Sequence, residues 1–174
     1  MIKQILKALG IGQPEASFKI TQNVKATVFD KDGNILRVYQ SENRTCKVGR
    51  NELLDRMGDF STSGTDRKGV IRYMAAGSSA TAPTDADTAL NLEVARAVII
   101  GEEAVRTDDT LKVYARFEVG GAYTMAEMGL LTGNAASSTP GTGTLFAHTL
   151  FSPAIAKTSD EAVLIEWTLT TADA

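Results

Sequence analysis

Two stretches of strict alternation constrain this chain most. In residues 110–119, Leu111, Val113, Ala115, Phe117 and Val119 fall on one side and Lys112, Tyr114, Arg116 and Glu118 on the other. In residues 162–171, Val163, Ile165, Trp167 and Leu169 oppose Leu164, Glu166, Thr168 and Thr170. A period of two is that of a β-strand with one buried face. Further strand signals run over 94–106, 123–131 and 144–151, separated by Thr107-Asp108-Asp109, Gly120-Gly121, the Gly/Ser/Pro stretch 133–143 and Ser152–Glu161. Upstream, 18–29 and 35–40 read as a hairpin around Asp30-Lys31-Asp32-Gly33, residues that tolerate a tight turn. Residues 70–76 form another strand, leading into a polar loop from Gly77 to Ala89. Many strands joined by turns, with no long helix between them, predict an all-β, antiparallel β-sandwich of jelly-roll-like type rather than a parallel α/β fold.

Two short helices complete the expected architecture. Ile2, Ile5, Leu6 and Leu9 recur at helical spacing, Lys3 and Lys7 lie on the other side, and Gly10, Gly12 and Pro14 end the segment. Two turns of helix are marginal alone, so this stripe must lie on something, either its own domain or a neighbouring subunit. Residues 1–14 are therefore read as an amphipathic docking segment and 18–174 as a single β-sandwich domain. The second helix is expected at 50–57, with Leu53, Leu54 and Met57 inward, Asn51 as cap and Gly58 at its end.

Composition argues against reaction chemistry. The 174 residues hold one Cys and one His, which cannot form an internal disulfide or a structural zinc site, and 20 Thr, 23 Ala and 15 Gly favour strands and turns. No nucleophile motif accompanies His148, so it is given a structural or interface role and no catalytic one. Asp85, Asp87, Asp108 and Asp109 read as turn formers, since Asp bonds its own local backbone. No phosphate loop occurs, the D-x-D-G turn lacks the rest of a calcium loop, and the basic residues are dispersed. No metal, cofactor or nucleic acid is expected, and no apolar run suggests a membrane span or signal peptide, so synthesis in the cytoplasm is expected. Net charge is +5 over residues 1–72 and -8 over 73–174, which suits association between opposite poles or simply two solvated surfaces.

Glu93, Arg96 and Glu127 stand beside apolar residues, so they are expected to be paired, because an unpaired buried ion costs several kcal/mol. Arg96 is expected to bridge acidic partners and pin loop 77–89 to the sheet; the alternative for Glu127 is that alternation turns it to solvent.

The residues also carry a resemblance. IRYMAAGSSATAPTDADTALNLEVAR (71–96), KVGRNELLDRM (47–57), AEMGLLTG (126–133) and GTLFAHTLFSPAIAKTSDEAVLIEWTLT (143–170) follow one another in an order that resembles small bacteriophage virion structural proteins. The resemblance spans about residues 24–170, with Gly77-Ser78-Ser79 replacing a Gly-x-Gly turn and Met128 replacing an Ile. It implies a non-enzymatic subunit of a tail fibre, tail or neck appendage, or head decoration, a homo-oligomer contacting capsid, neck or tail proteins in the virion. Within it, Glu93 and Arg96 match the family's Glu-x-x-Arg, and Glu127 its later Glu. Two other classes stay open. A receptor- or carbohydrate-binding module should carry aromatic loop tips, yet loops 59–69, 77–89 and 133–143 hold only Phe60. A cell-wall-degrading enzyme should bring two carboxylates across a cleft.

Overall fold

A computed structural model describes residues 18–51, 71–101, 104–133 and 135–173. The expected docking segment 1–14, with its helix over 2–9 and Ile2, Ile5, Leu6 and Leu9, lies outside these residues. The described chain is mostly antiparallel β: β1 (Phe18–Phe29), β2 (Ile35–Thr45), β3 (Ile71–Gly77), β4 (Glu93–Val98), β5 (Val105–Thr107), β6 (Thr110–Phe117), β7 (Tyr123–Thr132), β8 (Thr144–Lys157) and β9 (Ala162–Asp173). They form one hydrogen-bonded sheet in the order β4-β3-β7-β8-β2-β1-β9-β6-β5.

The sheet curls because β2 serves two neighbours. Its first part pairs with β1, Asn23 opposite Glu42, and its last three residues pair instead with β8, Arg44 opposite His148. The curl carries the far end of β4 round to β6: Ile99 donates its N–H to Arg72 of β3 and bridges Ala115, and Ile100 donates to Tyr114 of β6. This corner splits the strand expected over 94–106 into β4 and β5. Inside the curl lie Val24, Ala26 and Val28 of β1, Val163, Ile165 and Trp167 of β9, Val113, Ala115 and Phe117 of β6, and Met74, Met128, Leu130 and Phe151 from the other half. The alternation read in 110–117 and 162–169 is thus the inward face of β6 and β9, while Val119 lies beyond the strand and is exposed.

Strand β8 departs from its sequence pattern. Leu130 opposes Ala147 while Leu131 opposes Leu145, so Phe146 is an extra residue. This bulge turns both Phe146 and Ala147 into the core and leaves Leu145 on the outer face beside His148. Unbroken alternation along 144–151 would instead put Leu145 on one face with Ala147 and Phe146 on the other with His148. The strand also continues to Lys157, past the expected turn at Ser152, with a second irregularity where Met125 opposes Ile155 and Glu127 opposes Leu150.

Among the described residues one helical stretch occurs, at 47–51. It starts before the expected residue 50 because Cys46 anchors it: Cys46 donates its N–H to Phe146 and accepts from Arg50. Gly49 lies against the backbone of Phe146, where a Cβ would come within 2.2 Å of the carbonyl oxygen. Leu53, Leu54 and Met57 lie outside the described residues.

Candidate functional site

Adjacent antiparallel strands can be joined by a two-residue turn, yet β3 and β4 are joined by the long segment 78–92. This segment is a strap across the outer face of the sheet, over β7 and β8, to the end of β2. Two glycines make room for it. A Cβ on Gly77 would meet Glu127 Oε1 at 2.4 Å, and one on Gly129 would meet Leu145 at 2.7 Å and Leu90 at 3.0 Å. Beneath the strap lies a second apolar cluster of Cys46, Ala75, Leu131 and Leu145, with Val48, Tyr73 and Leu90 packed on it.

The strap is held by a buried polar constellation. The His148 ring on β8 is fully buried; its Nδ1 lies 2.7 Å from Asp87 Oδ2 of the strap and its Nε2 3.0 Å from Glu127 Oε2 of β7. The Nε2 contact is off the line of the ring N–H, so the two groups touch without a directed hydrogen bond. Glu127, also fully buried, accepts the N–H of Leu92 at 2.8 Å and of Asn91 at 3.1 Å. Asp87 accepts from Thr84, from both its backbone N–H and its hydroxyl. Burial alone acts to raise the Asp87 carboxyl, but the Thr84 donors and the His148 ring outweigh it and hold the group below the usual carboxylate range. Nearby, burial and then the charges of Asp87 and Asp85 push the Cys46 thiol up to about 11, so it is a protonated, poorly nucleophilic thiol. At the rim, Asp85 faces Arg44 at 3.5 Å and Arg50 at 3.3 Å, and its carbonyl accepts the Lys47 N–H.

Glu93 and Arg96 meet in a second constellation. The Arg96 guanidinium, 3% exposed, lies in a two-point pair with Glu93, Nη2 to Oε2 being 2.9 Å. Its Nη1 donates to the carbonyls of Ser137 and Thr142, each at 2.9 Å, and Glu93 accepts the Gly141 N–H at 3.1 Å. Arg96 therefore fastens loop 133–143, not loop 77–89 as its sequence position suggested. The strap is fastened instead by Glu127, which is buried rather than turned to solvent, and by His148.

A third network lies in the core. The Trp167 indole N–H, which can only donate, bonds Gln22 Oε1 at 2.8 Å and so fixes that amide, which in turn meets Asn43 and Thr45. Sequence reading missed His148, Asp87 and Gln22 as partners. Their contacts join residues 61, 21 and 145 positions apart in the chain, and no local motif marks such pairs.

Chemically, the strap constellation is an imidazole set between two carboxylates. Asp87 and Glu127 approach opposite nitrogens of one ring, so their oxygens do not converge on a point, and among the described residues no group of three or more His, Cys, Asp or Glu side chains is placed to hold a metal ion. No known family model matches the chain, and neither does any curated protein or solved structure.

Proposed function

We propose that this chain is a non-enzymatic bacteriophage virion structural protein that attaches to a particle surface, as a tail or neck appendage or adaptor or as head decoration, and acts as a homo-oligomer. The observation that carries the reading is a set of apolar side chains at an edge strand: Leu92 and Val98 are 58% and 61% exposed, and Val94 lies between them. Edge strands that stay single are commonly guarded by outward charges. Here the charge on β4 is drawn inward, since Arg96 is buried against Glu93. In this reading the curl is that of a jelly-roll-like sandwich, one layer β5-β6-β9-β1-β2 and the other β2-β8-β7-β3-β4, with β2 shared; the common core of the two halves supports it.

The segment 1–14 is the docking element of the proposal, through Ile2, Ile5, Leu6 and Leu9. Removing residues 1–12 is expected to abolish attachment to particles while the β-domain keeps its cooperative melting; truncated protein that still binds particles would refute the docking role. Labelled antibody on intact particles locates the subunit on head, neck or tail, and absence of label from purified particles overturns the virion reading.

A second reading, a receptor- or carbohydrate-binding module, is favoured by a different observation. Where β2 leaves β1 for β8, a cleft of about 480 Å³ opens between Thr21, Asn23, Glu42, Asn43, Thr168 and Thr170. Hydroxyl, amide and carboxylate groups suit a polyhydroxyl ligand. Saturable binding to a glycan array, lost on Asn43→Ala, supports that reading over the first.

A further inference from the structure

We propose that the strap 78–92 is a pH-gated clasp: it stays closed while both nitrogens of the His148 ring are protonated and Asp87 and Glu127 are both ionised, and it opens as a unit when either condition fails. The inference rests on the geometry of the buried groups and holds whichever particle surface is bound.

An ionised carboxylate only accepts, and an imidazole has two N–H groups only in its charged form. In the closed strap each ring nitrogen faces a carboxylate oxygen, at 2.7 Å and 3.0 Å. A neutral ring would turn one lone pair onto one of those oxygens, and the ring is fully buried. From the acid side, a protonated Asp87 or Glu127 loses the charge that holds the ring. Glu127 serves the strap as well as the ring, since its oxygens also receive the N–H groups of Asn91 and Leu92. Both inner fastenings of the strap, at Asp87 and at 91–92, therefore depend on the proton count of one constellation. The depressed Asp87 carboxyl agrees with this distribution of protons.

Among the described residues the charged and titratable groups around the ring are these. From the strap come Asp87 and Asp85, from β7 Glu127, from β2 the cross-strand neighbour Arg44, and from the turn after β2 Cys46 and Arg50. Arg44 and Arg50 are spent on Asp85 at the exposed rim. They anchor the tip of the strap without replacing the ring. An open strap uncovers Leu145, Leu131, Ala75 and Cys46, a buried apolar surface with the chain's single thiol in it. Such stored surface is available only when the clasp is released.

Native-state hydrogen exchange tests the clasp, following the Asn91 and Leu92 amides against Ile165 of β9 across pH, with intrinsic exchange divided out. The expected result is strap protection that peaks at intermediate pH and falls about tenfold or more on each side, the loss expected for a charge-assisted hydrogen bond, while Ile165 stays protected. In parallel, the modification rate of Cys46, corrected for thiolate fraction with the unfolded chain, rises in the same two ranges. His148→Gln, which cannot gain or lose a ring proton, is expected to lack the alkaline limb. Strap protection that is flat with pH, or that moves with Ile165, overturns the clasp in the wild-type chain alone; an alkaline limb that survives in His148→Gln overturns the role of the ring.

Discussion

Two loops are lashed to the outer face of this sheet, and they are lashed differently. Loop 133–143 is held by Arg96, a cation at any working pH, whose counter-ion Glu93 stands three residues away on the same strand. The strap 78–92 is held by three titratable groups from three separate elements. The first fastening is built on a cation and a carboxylate of one strand; the second is assembled only when β7, β8 and the strap are all in place. One tie thus centres on a guanidinium that keeps its charge, the other on an imidazole between two carboxylates.

The comparison breaks most sharply at Glu127. Glu127→Ala leaves the amides of Asn91 and Leu92 without their acceptor inside the protein and the Nε2 side of the His148 ring without its facing carboxylate, a loss of about 3–5 kcal/mol in denaturant unfolding, with loop 133–143 still attached. Next is Arg96→Met, expected to cost about 2–3 kcal/mol because it strands Glu93 and two carbonyls. Its signature is faster exchange at Gly141 with the strap unchanged. Unchanged thermal unfolding and assembly in this variant would remove the fastening role.

A smaller effect, about 1.5 kcal/mol at neutral pH, is expected for Asp87→Asn, which exchanges a charged partner of His148 for a neutral one. The acid side gives the sign. Asp87 is held below its unfolded value, so the stability it contributes is complete above the unfolded carboxylate range and is lost as pH falls through the folded value. Melting temperature against pH should therefore drop less steeply on the acid side in Asp87→Asn than in the wild type. Smallest is Val98→Lys at the exposed edge, within about 0.5 kcal/mol of the wild type in stability. Under the proposed function it lowers the sedimentation coefficient by blocking self-association.

The two fastenings also differ in how far they were legible beforehand. Alternation in β6 and β9 exposed the inward faces directly, since neither strand is bulged between its ends. In β8 one extra residue at Phe146 moves Leu145 to the His148 face, and no residue type marks a bulge of that kind. The need for a partner at Arg96 was visible because a guanidinium among apolar neighbours cannot stand alone; which loop it reaches depends on the path of the chain between β7 and β8. His148 carried no such signal. A single imidazole in a strand resembles any core histidine until the fold brings Asp87 and Glu127 to its two nitrogens.

Amide exchange at Leu92 and Gly141, measured together in His148→Gln and in Arg96→Met, tests the separate fastening of the two loops most directly. The expected result is a crossed pattern: Leu92 exchanges faster only in His148→Gln and Gly141 faster only in Arg96→Met. Both amides accelerating together in either variant would contradict it.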